Sequence, residues 1–494
     1  MWDQLTTYLL GGLAILIPVL STCHILLTKD DVRAAIGWMG LVWLVPGFGA
    51  LLYVVLGVNR IRRRAVRERS ARGLEPARSG VGDGVGSGGG ADEAGAPLSP
   101  LIDMLPPSLA AHARLVGNVT GHPLTAGNAV TPLVGGDAAY DAMLAAIEGA
   151  ERSVALTTYI FKSDAAGVRF VEALDRAVRR GVAVRVLIDG VGQLYGWPPI
   201  ARLLARRGVC VRTFNPLLLS WRLAFLNLRT HRKLLVVDGR VGFTGGMNIR
   251  AGTLAGSERM RGVRPLRDLQ FRIEGPLVAQ LMEAFADDWL FAAGETLADD
   301  RWFPSLAPVD SRTVIARTIP DGPDQISTKT AWTMASALAS ARDRVHILTP
   351  YFLPDAALIT ALQGAALRGV AVDIVLPGRN NLTVVKWASH KSYDRLLRRG
   401  CRIWHGPPPF NHAKLMVVDG LWVLFGSTNW DARSLRLNFE FNVECYDRAL
   451  AVDLARLIDD EIAGAQAVTL ADVDARPTHI KLRDGVAWLL SPYL

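Results

Sequence analysis

The chain has 494 residues, which is enough for two or more domains. Half of its residues are hydrophobic and its mean hydropathy is +0.22, which is high for a soluble enzyme and favours a membrane portion. The net charge of +9 suits anionic partners such as phospholipid surfaces or nucleic acid, and four scattered cysteines argue against a disulfide framework or a thiolate-bound metal.

Two apolar segments open the chain. Residues 4–28 and 34–59 carry no Asp, Glu, Lys or Arg, and each is long enough to cross a bilayer. The short segment Lys29–Arg33 joins them, so residues 1–59 predict a transmembrane hairpin of two helices, the second kinked at Pro46. A cleaved signal peptide is the alternative for the first segment, but the start Met-Trp-Asp-Gln lacks the basic residues of a signal.

Residues 60–117 connect the hairpin to the rest of the chain. Arginines follow the second helix directly and predict a cytoplasmic location for this side, because positive charge is retained there; they also suit anionic headgroups. These arginines are Arg60, Arg62, Arg63, Arg64, Arg67, Arg69 and Arg72. Residues 73–99 are rich in Gly, Ser, Ala and Pro, which predicts a flexible linker.

The remainder contains an internal repeat. SVALTTYIF (153–161) is similar to RVHILTPYF (344–352), and RRGVAVRVLID (179–189) is similar to LRGVAVDIVLP (367–377). In each copy strands alternate with helices, which is typical of an α/β fold.

We therefore expect two similar halves, 118–300 and 301–494, each with a mixed, largely parallel sheet flanked by helices and related by a pseudo-twofold axis. Tyr159 and Tyr351 end the first strand of each repeat, where they either line a cleft or pack in the core.

One motif occurs in both halves, as HRKLLVVDGRVGFTGGMN (231–248) and HAKLMVVDGLWVLFGSTN (412–429). Each copy predicts a strand, an Asp-Gly turn and a second strand. Because strand side chains alternate, the His and Lys of each copy face the same way, and the closing Asn returns to the same end. The shared positions are His231, Lys233, Asp238, Gly245 and Asn248, then His412, Lys414, Asp419, Gly426 and Asn429.

This skeleton resembles the phospholipase D superfamily, in which two such motifs meet at one site. Further segments, RDLQFRIEGP (267–276), NWDARSLRLNFEFN (429–442) and WLLSPYL (488–494), resemble the membrane-anchored bacterial cardiolipin synthases. The resemblance implies transfer of a phosphatidyl group between two phosphatidylglycerol molecules, giving cardiolipin and glycerol, without a cofactor or a metal. It also implies a multi-pass protein of the bacterial inner membrane whose catalytic part is cytoplasmic.

The resemblance gives the motif residues their roles. His231 would attack phosphorus and form a phosphohistidine, and His412 would act as acid and base, although the near-symmetry of the motifs leaves the reverse assignment open. The lysines, Asn248, Asn429 and Ser427 would bind the phosphate oxygens. Gly246 stands where the family commonly has Ser.

Four acidic residues have separate expectations. The resemblance implies that Asp268 orients His231 and that Glu440 orients His412. Asp238 and Asp419 belong to the catalytic motif, but their position at the strand-to-turn junction predicts a structural role through turn hydrogen bonds.

The same residues also suit other functions. A hydrolytic phospholipase D or another phosphatidyltransferase would share the same chemistry, and a phosphodiesterase acting on nucleic acid suits the charge but not the apolar segments. An apolar insertion before the first motif (217–230) either contacts lipid or packs between domains. The other seven histidines share no spacing and predict no metal site: His24, His112, His122, His346, His390, His405 and His479.

Overall fold

The computed structural model describes residues 2–29, 32–57, 100–216, 228–255, 266–309, 314–323 and 328–492. The arginine cluster, the Gly-rich linker and most of the apolar insertion lie outside the described residues.

The N-terminal segment forms helices that pack against each other. They are α1 (Trp2–Thr28), α2 (Val32–Leu44) and α3 (Phe48–Leu52), followed by a π-helical turn (Tyr53–Gly57). The second helix is interrupted at Pro46-Gly47, as predicted. His24 Nδ1 lies 2.7 Å from the Tyr53 hydroxyl, and Trp43 Nε1 donates to Thr22 Oγ1 at 3.0 Å. Within the described residues, no helix combines the length and apolar character needed to span a membrane.

The rest of the described chain is an α/β structure. Its strands are β1 (Thr125–Val134), β2 (Ser153–Thr158), β3 (Ala183–Asp189), β4 (Cys210–Phe214), β5 (Arg229–Thr230), β6 (Leu234–Val237), β7 (Val241–Gly245), β8 (Leu269–Glu274), β9 (Val314–Asp321), β10 (Arg344–Leu348), β11 (Ala371–Pro377), β12 (Arg402–Gly406), β13 (Leu415–Val418), β14 (Trp422–Gly426), β15 (Asn438–Tyr446) and β16 (Gln466–Val468). Its helices are α4 (Pro100–Asp103), α5 (Pro107–Thr120), α6 (Gly136–Glu148), α7 (Ala165–Arg179), α8 (Ile200–Arg206), α9 (Leu277–Ala293), α10 (Lys329–Ser340), α11 (Ala356–Leu367), α12 (Thr383–Leu397), α13 (Ala432–Arg436), α14 (Arg448–Ala463), α15 (Leu470–Asp474) and α16 (Thr478–Leu489).

The strands join in one sheet with the order β16-β12-β11-β10-β13-β14-β15-β9-β1-β8-β7-β6-β2-β3-β4. Seven strands from β9 to β12 follow the same order as the seven strands from β1 to β4, while β16 at the edge and β5, which pairs with β15, have no equivalent along this path. This matches two halves related by a pseudo-twofold axis.

The prediction of a largely parallel sheet is wrong. Along this path β2–β3, β3–β4, β10–β11 and β11–β12 pair in parallel, and the other neighbours pair antiparallel. Only the repeated strand-helix-strand units need crossover connections. The motif hairpins β6–β7 and β13–β14 join by direct turns, which makes their pairings antiparallel. The central strands also pair antiparallel, although they are distant in sequence.

Helix α5 packs across the predicted domain boundary. It precedes the first half in sequence, but its buried residues Leu109, Ala113 and Val116 belong to the hydrophobic core of the second half, beside Met334 of α10. The connecting segment was predicted to reach residue 117, whereas helices begin at Pro100. A core between the halves includes the stacked rings of Phe271 and Phe425, with centroids 3.6 Å apart.

Candidate active site

The two motif histidines line one cavity of about 300 Å³, which we call the shared cavity. His231 lies between β5 and β6, and His412 immediately precedes β13. Asn248, Asn429, Tyr159 and Tyr351 also line it, with residues of both halves. The motif spacing therefore brings both imidazoles and both amides to the same place, as predicted.

Each histidine is fixed to the backbone of the opposite half. The His231 amide donates to the Phe439 carbonyl at 2.8 Å, next to the parallel pairing of β5 with β15. The His412 amide donates to the Arg267 carbonyl at 2.8 Å. The segment that leads into each motif thus crosses over to the other half.

The orienting carboxylates are exchanged relative to the prediction. His231 Nδ1 lies 2.9 Å from Glu440 Oε2, and His412 Nδ1 lies 2.9 Å from Asp268 Oδ2. The predicted pairing within each half is therefore wrong, although both acids were chosen correctly. The physical reason is the backbone crossover, which places each imidazole beside the strand that follows the other motif.

Ser427 supports Glu440 and does not line the shared cavity. Its hydroxyl donates to Glu440 Oε2 at 2.5 Å, and its side chain is fully buried. The predicted phosphate contact for Ser427 is therefore wrong. In the first half a Cβ at Gly246 would overlap Asp268 Oδ1, so a serine does not fit there.

The lysines lie against their own histidines. Lys233 Nζ donates to the His231 carbonyl at 2.5 Å, and Lys414 Nζ donates to the His412 carbonyl at 2.6 Å. Both side chains are almost fully buried, and neither belongs to the cavity wall. Burial lowers the pKa of Lys233 to about 7 and that of Lys414 to about 8. Their charge reaches the cavity from behind the imidazoles.

Burial and the lysine charges favour the neutral form of both imidazoles in the cavity without substrate. Desolvation lowers the pKa of His231 well below its usual value and that of His412 to about 4, and the neighbouring lysines add to both shifts.

The pKa values of Glu440 and Asp268 are shifted in opposite directions. Burial raises the pKa of Glu440 to about 7. For Asp268 burial also opposes ionisation, but the charge and hydrogen bond of His412 and the charge of Lys414 outweigh it, and its pKa lies below the usual value. Asp268 is thus the stronger support for a positively charged imidazole.

The asparagines present amide groups to the cavity. Asn248 Oδ1 accepts from the Ile160 amide at 3.0 Å, and its Nδ2 has no partner within the described chain. Asn429 Nδ2 donates to Ser434 Oγ at 3.1 Å, and its Oδ1 is buried without a partner among the described residues. Both residues therefore retain a polar atom for a ligand.

The tyrosines that end the first strand of each repeat pack edge-on against the histidines. Ring centroids lie 5.3 Å apart for Tyr159 and His231, and 6.3 Å apart for Tyr351 and His412. Of the two interpretations left open by the sequence, the cavity lining is the one observed.

Each motif asparagine is followed within a few residues by an arginine that also lines the cavity. These are Arg250 in the first half and Arg433 in the second, and no sequence pattern singled them out. They stand at different distances from their motif asparagines, so a search for positions shared by the two copies does not find them.

The motif aspartates lie at the far end of the motif strands from the histidines. Asp238 Oδ1 accepts from the amides of Arg152 at 2.7 Å and Ser153 at 2.8 Å. Asp419 Oδ1 accepts from the amides of Asp343 at 2.8 Å and Arg344 at 2.9 Å. Both have φ of +53°, a left-handed conformation that Asp tolerates. These bonds are consistent with the predicted structural role, but the partners are the starts of β2 and β10 rather than the turn.

Metal ligands do not cluster in the described part of the chain, where no three His, Cys, Asp or Glu residues are placed to hold an ion. The seven histidines outside the motifs do not line the shared cavity. Metal-independent chemistry stays a prediction that a chelator tests.

Comparisons with known proteins agree with this arrangement. Residues 143–289 and 334–462 match the family described as "Cardiolipin synthase, PLD-like domain". The chain is 31% identical over 508 residues to cardiolipin synthase A of Pseudomonas entomophila (strain L48), covering 100% of both. It is 27% identical over 471 residues to cardiolipin synthase 1 of Bacillus cereus, covering 94% of this chain and 89% of that protein. The solved phosphatidylserine synthase of Haemophilus influenzae Rd KW20 shares the fold over 77% of this chain and 99% of its own, with a TM-score of 0.58 and 13% identity.

Proposed function

This chain belongs to the cardiolipin synthase family of proteins with phospholipase D-like domains, and from that premise we propose that it transfers a phosphatidyl group from one phosphatidylglycerol to another. The products are cardiolipin and glycerol. The observation that carries the proposal is the shared cavity, in which the imidazoles of His231 and His412 are each hydrogen-bonded to a carboxylate of the opposite half. Such a pair provides a nucleophile and an acid-base group for one phosphodiester.

The first step forms a covalent intermediate. His231 Nε2 attacks phosphorus, a P–N bond forms, and the bond from phosphorus to the headgroup glycerol oxygen breaks. His412 takes up a proton when the anionic phosphodiester enters the cavity, and it gives this proton to that oxygen, so neutral glycerol leaves. The lowered pKa of Asp268 supports this assignment, because an ionised partner stabilises the imidazolium of His412.

The second step reverses the proton movement. His412 takes the proton from the terminal hydroxyl of the second phosphatidylglycerol, whose oxygen attacks phosphorus and displaces His231. Lys233, Lys414 and the amide of Asn248 stabilise the charge on the phosphate oxygens, an effect that is typically worth about 10²–10³ in rate for one donor.

The substrate is a membrane lipid, and the cavity mouth suits it. A volume of about 300 Å³ is at the lower end for ligand sites and holds polar headgroups, so the acyl chains extend outward. Tyr195 in the segment after β3 and Leu382 in the equivalent segment after β11 line the cavity. Leu382 is 48% exposed, and Leu194 and Trp197, which flank Tyr195 in sequence, are 70% and 83% exposed. These apolar side chains support contact with acyl chains at the bilayer surface.

The N-terminal hairpin would hold the enzyme at its substrate. We infer that the segments 4–28 and 34–59 span the bacterial inner membrane and that the arginines after them keep the catalytic part on the cytoplasmic side. A reporter that is active only in the cytoplasm should be active when it is fused to the C-terminus, and one that is active only outside the cytoplasm should be inactive there. The opposite result would show that the catalytic part lies outside the cytoplasm.

The function is tested with purified full-length protein in phosphatidylglycerol vesicles containing a chelator. We expect cardiolipin and glycerol in equal amounts, and loss of both by at least about 10³-fold in His231→Ala and His412→Ala. Phosphatidic acid as the main product would show that water is the acceptor. Loss of turnover with chelator, restored by a divalent ion, would contradict the metal-free reaction.

A further inference from the structure

Two arginines of the shared cavity have no role in the reaction described above. Arg250 and Arg433 line its wall, one from each half. Within the described residues neither guanidinium makes a hydrogen bond or an ion pair. Arg436, on the same short helix α13 as Arg433, is by contrast paired with Asp355 at 3.0 Å. Arginines that line a cavity without a protein partner are placed to bind an anion.

The guanidinium groups add positive charge to that of the lysines. The reacting phosphate carries a single negative charge, and the charge of Lys233 and Lys414 reaches the cavity from behind the imidazoles. Arg433 contributes to the lowered pKa of His231, so its charge acts within the same cavity. Asp268 and Asp431 line the same cavity, but among the described residues neither forms an ion pair with Arg250 or Arg433. A second anion supplies the partner that the two guanidinium groups lack, and the planar guanidinium matches phosphate oxygens in a bidentate geometry.

The arginines break the symmetry of the two halves. Counted from the motif asparagines, Arg250 is equivalent to Asp431, and Arg433 is equivalent to Gly252. A Cβ at Gly252 would lie 3.1 Å from Arg250 Nη2, so the missing side chain there leaves room for that guanidinium. Asp431 instead caps α13 by accepting from the Ser434 amide at 2.7 Å. Groups needed equally by both histidines would occupy equivalent positions, whereas a donor and an acceptor lipid differ.

We propose that Arg433 and Arg250 form a second phosphate subsite, which binds the phosphodiester of the acceptor phosphatidylglycerol while its terminal hydroxyl reaches the reacting phosphorus. The inference rests on the proposed function and adds the basis of acceptor choice. Water and simple alcohols carry no phosphate, so the subsite favours the lipid acceptor over them.

The test is a competition between two acceptors in the same vesicles. Full-length protein is given phosphatidylglycerol with added ethanol, and cardiolipin and phosphatidylethanol are measured together. In Arg433→Gln and Arg250→Gln we expect cardiolipin to fall about tenfold or more, and phosphatidylethanol to fall by a clearly smaller factor. Arg433→Lys should retain an intermediate share of cardiolipin, because a charge remains without the planar geometry.

Arg436→Gln is the matched control, since this guanidinium lies on the same helix but is 59% exposed and paired with Asp355. It should leave the product ratio at the wild-type value. An equal fall of both products in Arg433→Gln and Arg250→Gln would assign the arginines to the donor phosphate and overturn the proposal, as would an unchanged ratio. If wild-type protein forms no cardiolipin, the proposed function fails before any variant is compared.

Discussion

Glu440 and Asp268 each form a 2.9 Å hydrogen bond with the imidazole of the other half, but their surroundings shift the pKa values of the two carboxyls in opposite directions. Burial raises the pKa of Glu440 to about 7, so the folded state keeps this proton to a higher pH than the unfolded chain does. The pKa of Asp268 is lowered by His412 and Lys414 despite burial. This difference is a residue-scale reason for assigning the neutral nucleophile to His231 and the proton transfers to His412.

The opposite pKa shifts predict that Glu440→Gln and Asp268→Asn change the free energy of unfolding in opposite directions. Because the folded pKa of Glu440 exceeds the ordinary 4.5, its ionisation destabilises the folded state as pH rises from about 4.5 to about 7. Glu440→Gln should therefore stabilise the protein at pH 8 by about 1–3 kcal/mol relative to wild type, and this gain should disappear near pH 4.5. At pH 8 Lys233, with its pKa near 7, is mostly neutral and leaves no unpaired charge. Denaturant unfolding in detergent at both pH values measures this.

Asp268→Asn is the paired comparison. The lowered pKa means that the ionised carboxylate stabilises the folded state above the ordinary 3.8, and that this contribution is lost as pH falls below 3.8 through the lower pKa of the folded state. The variant should lose about 1–3 kcal/mol at pH 8. Both variants should lose transfer activity by about 10²–10⁴-fold, as expected for orienting carboxylates. Stability shifts of the same sign in both variants would contradict the assignment.

Asp238 provides a residue-scale test of a motif position outside the cavity. Asp238→Asn keeps a residue that tolerates the left-handed backbone but weakens the hydrogen bonds to the start of β2. We expect a loss of about 1–3 kcal/mol in the free energy of unfolding, with transfer activity within about threefold of wild type. Asp419→Asn should behave alike. A loss of transfer activity by about two orders of magnitude at unchanged stability would instead make the aspartate catalytic.

The motif spacing predicted most of the site because strand parity is a local property. His231, His412 and both asparagines reach one cavity as the alternation requires. The exchange of Glu440 and Asp268 was not predictable, because it depends on a crossover between segments 209 and 144 residues apart. Ser427 was misassigned for a similar reason: the sequence does not show whether a hydroxyl faces the cavity or the carboxylate behind it.

At the element scale, α5 links the start of the catalytic part to the second half. Its His112 Nε2 lies 3.2 Å from Glu444 Oε2, and Glu444 also accepts from Trp422 Nε1 at 2.9 Å and is paired with Arg317. Because the helix precedes the first half in sequence but packs on the second, it helps to hold the halves together. The repeat pattern predicted the same alternation of strands and helices in both halves, but nothing in the local sequence indicated where α5 docks.

Leu109→Ala tests this docking. Leu109 is 5% exposed on the face of α5 that packs against the second half, so we expect a loss of about 2–5 kcal/mol in the free energy of unfolding. Asn118→Ala, an exposed position of the same helix, should stay within about 0.5 kcal/mol of wild type. Equal stability of the two variants would show that the docking contributes nothing. Thermal unfolding in detergent distinguishes these outcomes.

On the scale of the whole molecule, the site depends on both halves of one chain. The imidazole of each half is oriented by a carboxylate of the other, and both imidazoles line one cavity. Neither half alone therefore contains an oriented histidine. The continuous central sheet, joined through β1 and β9, fixes the two halves in this geometry.

This organisation predicts the result of mixing inactive variants. His231→Ala and His412→Ala chains placed together in phosphatidylglycerol vesicles should remain inactive, because each cavity still lacks one histidine. Equal mixtures with wild-type chains serve as the control and should give activity in proportion to the wild-type content. Activity restored by mixing the two variants would mean that the site is completed between chains.

Phosphatidyl transfer through His231, in a cavity completed by His412, is tested most directly by trapping the covalent intermediate. The full-length protein is quenched rapidly in alkali during turnover of phosphatidylglycerol labelled in its phosphate, and the labelled peptide is mapped. We predict an acid-labile label on the segment that contains His231, absent in His231→Ala. Label on the segment that contains His412 would reverse the two roles, and turnover without any labelled protein would contradict the covalent mechanism.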